Sequence, residues 1–352
     1  MPSLTLCFLS LCQAAAISAV SPPVAAPYPD AAPYIGYEQV LDVVAAAVPP
    51  VAAVTPQDQA ATARAVAPIG PASEISDDSG PRPGKTPLFK GGKLLLTNGV
   101  TTAEGSSGGG IARWATIAGR QMPSGIGASA HLTAIELPDF GWRSYGAALG
   151  IGDRLELSIA RADFDTRDVG AALGIGQGYT FNLDTFGAKL RVAGDLVYGE
   201  SWLPQIAVGL EHKRSRDGAL VRALGSADDE GTDYTISATK LVLARSLLMN
   251  ATLRYTEANQ IGLLGFGSAT GGGYQLQFEG SLGYQLSSRA VVGAEYRSKP
   301  DNLGLGEDDW IDIFAAYALT NHLTLTAAYV DLGSVATFND QRGGFLSAQV
   351  AF

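Results

Sequence analysis

Three histidines, His131, His212 and His322, are the residues from which acid–base or nucleophilic chemistry would start in this sequence. A lipid-cleaving enzyme would need one of them beside a serine. His131 is the only serious candidate, because Ser129, His131 and Thr133 alternate and share one face of an extended segment. That face is the polar one, since Ile126, Ala128, Ala130 and Leu132 point the other way, so His131 reads as one member of a polar row. His212 and His322 fall at the ends of such segments, at positions expected to be interfacial. No spacing of His, Cys and carboxylate suggests a transition-metal site. The two cysteines, Cys7 and Cys12, both lie in the first twenty residues. The expectation is no catalytic residue, no metal and no cofactor.

Two glycine runs, Gly108 to Gly110 and Gly271 to Gly273, resemble phosphate loops only superficially, for no Lys-Ser/Thr follows and no helix is expected. They read as loop material. Two acidic groups, Asp228, Asp229, Glu230 and Asp233, and Glu307, Asp308 and Asp309, have the oxygen chemistry to bind calcium or to bridge lipopolysaccharide through divalent ions. Solvated loop acids are the simpler reading. More informative is a row of charges on the polar faces: Arg154, Glu156, Lys189, Arg191, Glu211, Lys213, Arg254, Glu279, Glu295, Arg297 and Asp312. Inside a barrel such a row either lines a water-filled pore or pairs across and closes a narrow lumen. The sequence leaves both open.

The elements that place this row are extended segments of strict alternation. In Tyr274 to Leu286 (YQLQFEGSLGYQL), Tyr274, Leu276, Phe278, Gly280, Leu282, Tyr284 and Leu286 form one set, and Gln275, Gln277, Glu279, Ser281, Gly283 and Gln285 form the other. Successive strand side chains point to opposite faces, so one face is apolar and the other polar. Ten residues from Tyr274 to Tyr284, tilted near 40°, span roughly 25 Å, the height of the apolar band of a membrane barrel. The same pattern recurs at Asn321 to Asp331, Asp309 to Leu319, and around Val292, Leu253, Val208, Ala188 and Leu157. Further candidates are Trp142 to Ile151, Gly125 to Glu136, Ile111 to Arg120, Leu94 to Thr102 and, less regularly, Thr232 to Leu243. Short turns alternate with long polar loops, the membrane-barrel habit. Tyr274, Tyr284, Tyr296, Tyr317, Tyr329 and the last residue, Phe352, are expected at the membrane interfaces, where amphipathic rings are favoured. A terminal Phe after alternating apolar residues resembles the insertion signal of bacterial outer-membrane barrels.

Composition agrees: 46% of residues are hydrophobic and only 16% charged, below the roughly 25% usual in a soluble domain, and 43 are glycine. Net charge is −10 and the cations form no runs, which excludes a nucleic-acid partner on electrostatic grounds. Beyond position 20 no apolar run is long enough for a membrane-spanning helix. Leu4 to Val20 has the apolar core and small-residue tail of a signal peptide, although no Lys or Arg precedes Arg64. Residues 21–90 are rich in Pro and Ala, a composition that predicts a disordered periplasmic linker.

Residues 91–352 also resemble an uncharacterised proteobacterial family of predicted outer-membrane proteins, a domain of unknown function. The resemblance is carried by GKLLLTNGV (Gly92 to Val100), EGSSGGG (Glu104 to Gly110), FDTRDVGAALGIGQGYTF (Phe164 to Phe181), WLPQIAVGLEHK (Trp202 to Lys213), GAEYRSKPDNLG (Gly293 to Gly304) and YVDLG (Tyr329 to Gly333). It implies a barrel and brings no activity with it. The expectation is therefore an all-β chain: a transmembrane antiparallel up-and-down β-barrel of 14 strands, or 12 if the weak members are omitted, in the bacterial outer membrane. Its expected partners are outer-membrane lipid, lipopolysaccharide, the barrel-assembly machinery during insertion, and small polar solutes passing a porin-like channel. The alternatives are a non-conducting scaffold or anchor and, on His131 alone, a lipid hydrolase.

Overall fold

Alternation of apolar and polar residues makes a strand amphipathic by face, and a sheet built only of such strands hides one face by closing on itself. The computed structural model describes residues 93–352 apart from 122, 124 and 199–201 and shows that closure. A short pair, β1 (Val100–Thr101) and β2 (Ser107–Gly108), comes first. The barrel follows as β3 (Ile126–Glu136), β4 (Gly141–Ile151), β5 (Leu155–Asp165), β6 (Thr180–Ala193), β7 (Gln205–Ser215), β8 (Glu230–Val242), β9 (Leu247–Thr256), β10 (Gln275–Ser287), β11 (Ala290–Arg297), β12 (Trp310–Ala318), β13 (Leu323–Asp331) and β14 (Arg342–Ala351). Each strand pairs antiparallel with the next, and β14 returns to β3, so the sheet has no edge. The expected signal peptide and linker over 1–90 lie outside the described residues. Among the described residues no helix is long and apolar enough to cross a membrane, which says nothing of strands.

Turns at 152–154, 243–246, 288–289 and 319–322 are short, and loops at 166–179, 216–229, 257–274, 298–309 and 332–341 are long. The loops carry two short helices, α1 (Val169–Ala172) and α2 (Gly218–Ala223). One connection at the long-loop end, 137–140 between β3 and β4, is itself short.

The alternation read from Tyr274 to Leu286 is the alternation seen. Leu276, Phe278, Leu282, Tyr284 and Leu286 are exposed on the outside of β10, while Glu279 and Ser281 are buried inside. Ile159, Phe186, Ile236, Ile313 and Leu346 continue the apolar exterior around the barrel. Such a continuous girdle is far larger than the patches a water-soluble monomer tolerates. Tyr234, Tyr255, Tyr274, Tyr296 and Tyr329 stand toward its long-loop end, and Tyr284, Tyr317 and Phe352 toward the other. Tyr274 stacks on Tyr255 at 4.8 Å between ring centres, and Phe352 on His322 at 5.0 Å.

The barrel has twelve strands, which corrects the preference for 14. The two extra candidates, Leu94 to Thr102 and Ile111 to Arg120, are not in the wall. They run inside it, and residues 97–119 are buried without a break. A lipid-facing strand must expose every second side chain. Thr97, Asn98, Thr101, Thr102, Arg113 and Thr116 are instead buried along with Val100, Ile111, Trp114 and Ile117, so both faces of this segment meet protein.

Candidate functional site

The inner segment 93–121 carries little regular structure, so most of its peptide groups need partners other than a strand ladder. The wall supplies them. Glu156 accepts the N–H of Ser107 at 3.0 Å and of Ala118 at 2.7 Å. Glu295 accepts those of Ile111 at 2.9 Å and Ala112 at 3.3 Å, and Glu279 that of Arg113 at 2.8 Å. Lys189 donates to the carbonyls of Ser107 (2.7 Å) and Thr116 (3.0 Å). Asn250 and Thr252 both donate to the carbonyl of Arg113, at 3.0 and 2.7 Å, and Gln205 to that of Ala115 at 2.6 Å. The wall side chains thus take the place that water holds in an open lumen.

Arg113 is the hub. The residue is 1% exposed, and its guanidinium meets Glu104 at 2.7 Å, Glu211 at 2.5 Å and Glu279 at 2.6 Å. Glu104 comes from the inner segment as well and also binds Arg297 at 2.5 Å and Lys213. Lys213 reaches Asp233 at 2.7 Å, and Arg254 reaches Glu279 at 2.8 Å. Arg113, Lys213, Arg254 and Arg297 therefore face Glu104, Glu211, Asp233 and Glu279, with the charges in balance. Burying ions is costly unless each is paired and its remaining donors are used. Arg suits the centre because its planar fork serves several carboxylates at once. The carboxylates of Glu104, Glu211 and Asp233 lie close enough to share a metal ion, but Lys213 and Arg113 already occupy the position between them.

Of the residues expected in the inward row, Glu156, Lys189, Glu211, Lys213, Arg254, Glu279, Glu295, Arg297 and Asp312 are all buried inside the barrel. Asp312 stands beside Glu295 on the neighbouring strand, and neither of its oxygens has a hydrogen-bond partner. Two expectations need correction. Arg154 lies exposed in the turn between β4 and β5, because the chain reverses before its side chain can enter the lumen. Arg191 sits at the short-turn rim, bound to Asp153 at 2.7 Å and Asp195 at 3.0 Å.

The sequence pattern did not single out Glu104, Arg113 or the lumenal place of Asp233. Asp233 neighbours the loop acids in sequence, yet it is buried in β8. Asp228 and Asp229 are loop acids paired with Arg222, and Glu307 is paired with Lys299 at 2.9 Å. The run Gly108 to Gly110 has a specific steric use. A Cβ on Gly109 would lie 1.7 Å from the Glu295 carboxylate that holds the peptide N–H groups of Ile111 and Ala112.

His131 is buried on the inner face, with its Nε2 unpartnered and its ring beside Gly105 and Gly146. Thr133 pairs with Ser347 at 2.8 Å, not with His131. His212 contacts Thr232 at 3.1 Å, and His322 Nδ1–H donates to the Ala351 carbonyl at 2.8 Å near the barrel's short-turn end.

Fold and lumen together define a closed antiparallel β-barrel filled by residues 93–121, the stretch that precedes its wall. The chain belongs to the family described as "Protein of unknown function (DUF3034)", whose model matches residues 97–349 and so takes in the inner segment as well as the wall. A comparison with curated proteins gives no match. Among solved structures, a KdgM porin in complex with disordered oligogalacturonate is similar over 64% of this chain and 99% of that one, with 9% identity and a TM-score of 0.41. A NanC porin is similar over 64% and 98%, with 10% identity and a TM-score of 0.39. Outer membrane phospholipase A from Escherichia coli is similar over 64% and 92%, with 10% identity and a TM-score of 0.36. Function resides in side chains grafted on a fold, and these proteins differ from this chain at about nine aligned positions in ten.

Proposed function

We propose that the protein is a bacterial outer-membrane β-barrel that is closed at rest, its lumen held shut by residues 93–121. The exposed apolar girdle between two sets of aromatic residues supports the membrane placement. In that placement the short turns and the inner segment's entry face the periplasm, and the long loops face outward. Contact with lipopolysaccharide and insertion by the barrel-assembly machinery belong to the same proposal. The observation that carries the closed state is the fourfold pairing of Arg113 with carboxylates of both segment and wall.

Porin-like passage of small polar solutes then requires the inner segment to withdraw and uncover the mixed-charge wall. A second reading, a permanently non-conducting envelope scaffold, is favoured by the number of wall side chains committed to holding the segment. We propose no catalysis: the hydrolase alternative would need a serine bonded to His131, whose Nε2 has no hydrogen-bond partner.

Planar-bilayer recording of the whole chain tests the proposal. A barrel closed at rest gives no steady ohmic steps at low voltage, and persistent open-pore steps would refute it. Steps that appear in urea at concentrations leaving the barrel folded on gels support the gated channel. Their absence supports the scaffold.

A further inference from the structure

The outer surface of the barrel is not uniform at its long-loop end. In the sector from β4 to β7 it carries Arg143, Arg161, Arg214 and Arg216, each in step with the lipid-facing side of its strand. From β8 to β13 no Arg or Lys faces outward at this end, and Tyr234, Tyr255, Tyr296 and Tyr329 stand there instead.

Three of these arginines surround one acid. Asp184 of β6 lies opposite Arg161 of β5 on one side and Arg214 of β7 on the other. Its Oδ1 accepts from Arg161 Nε and its Oδ2 from Arg216 Nε, each at 2.7 Å. Both oxygens are thus engaged, and the exposed side chain of Arg214 has no partner among the described residues. Arg216, its side chain 57% exposed, bonds only through Nε and keeps both Nη groups free. Glu230 stands opposite Arg214 and Asp163 opposite Arg143, but neither closes to an ion pair. Three guanidiniums around one carboxylate leave two positive charges unmatched. Their height is also specific. On the same faces Ile159 and Phe186, two residues from Arg161 and Asp184, are exposed members of the apolar girdle. Two strand residues span roughly 7 Å, so in the membrane placement the cluster begins at headgroup level, where cationic side chains reach polar groups over apolar surface.

We propose that Arg161, Arg214 and Arg216 form a binding site for the phosphate group of a lipid in the outer leaflet, its acyl chains lying along the girdle over Phe186 and Leu210. A phosphate monoester carries about −1.5 to −2 charges at pH 7, which complements the unmatched pair. The planar fork of arginine suits phosphate oxygens, and Asp184 holds two of the three forks in place. The site rests on the membrane placement proposed above and is independent of whether the lumen opens.

The test is native mass spectrometry of the whole chain released from detergent micelles containing either diphosphoryl lipid A or the same lipid stripped of both phosphates. The parent is expected to retain the diphosphoryl form about tenfold more tightly. Arg214→Gln, which breaks no bond within the protein, should remove most of that preference. Arg342→Gln takes a cation from the same end outside the sector, where it pairs with Asp331 at 2.7 Å, and should bind within about twofold of the parent. Inorganic phosphate at the same concentration should not displace the lipid. The proposal is overturned if the parent binds the two lipids alike, if the two variants behave alike, or if inorganic phosphate displaces the lipid, which would make this a site for free anions. A barrel that folds in micelles and binds both lipids alike loses the site and keeps its membrane placement, whereas a chain that takes up no micelle loses both.

Discussion

Replacing Arg113 by methionine would leave Glu104, Glu211 and Glu279 facing one another with one cation fewer. Removing one partner of a buried ionic cluster costs more than the cluster contributes, because the remaining charges stay desolvated. Arg113→Met is expected to loosen the inner segment by about 3–5 kcal/mol, read as hydrogen exchange at the Ile111, Ala112 and Arg113 amides with the strand amides of the wall unchanged. Exchange as slow as in the parent would show that the hub does not hold the segment. At this scale the sequence was half legible. Glu279, Glu295, Arg297 and Lys213 could be placed inside because each alternates with a residue that must face out. Arg113 could not, since every residue around it is buried and alternation says nothing where both faces meet protein. Arg154 misled for a related reason: parity holds along a strand and ends where the chain turns.

Among the elements, the turn between β6 and β7 shows how a rim is fixed. Burial works against ionisation of Asp195, but N–H donation by Tyr198 at 2.7 Å and Val197 at 2.8 Å and the ion pair with Arg191 outweigh it, holding this carboxyl below the ordinary aspartate value. A carboxyl depressed in the folded state stabilises above its unfolded pKa, and that contribution is lost as pH falls through the lower folded value. Asp195→Asn should therefore melt earlier than the parent at pH 7, with the gap narrowing as the pH is taken below about 4. A gap independent of pH would assign the effect to the turn's shape and not to its charge. The twelve wall strands were legible because they show the two-residue period, least regularly over Thr232 to Leu243. Leu94 to Thr102 and Ile111 to Arg120 were mistaken for two more, being apolar enough to resemble strands and too short to show that their polar residues lacked a watery side. The buried aromatic patch of Phe140, Trp142, Phe164 and Trp310 inside the long-loop end was hidden for the opposite reason, since an inward row in a barrel is expected to be polar.

For the whole molecule, the outside decides whether the barrel sits in lipid. Ile159, near the middle of β5 and 57% exposed, would be a harmless surface position in water, where substitutions usually stay within about 0.5 kcal/mol. In a membrane, Ile159→Arg should cost about 2–4 kcal/mol, measured by denaturant unfolding from lipid vesicles. A neutral result would remove the bilayer from the account. The closed barrel itself was the most legible feature, because amphipathic strands in lipid have no other way to pair their backbone groups. The filling of its lumen was not, since wall charges of both signs suit an open pore and a packed one equally well. The most direct measurement is bilayer conductance of the chain with residues 93–121 deleted, recorded beside the whole chain. The account predicts silence from the whole chain and steady ohmic steps from the deleted one, whereas equal conductance from the two would contradict it.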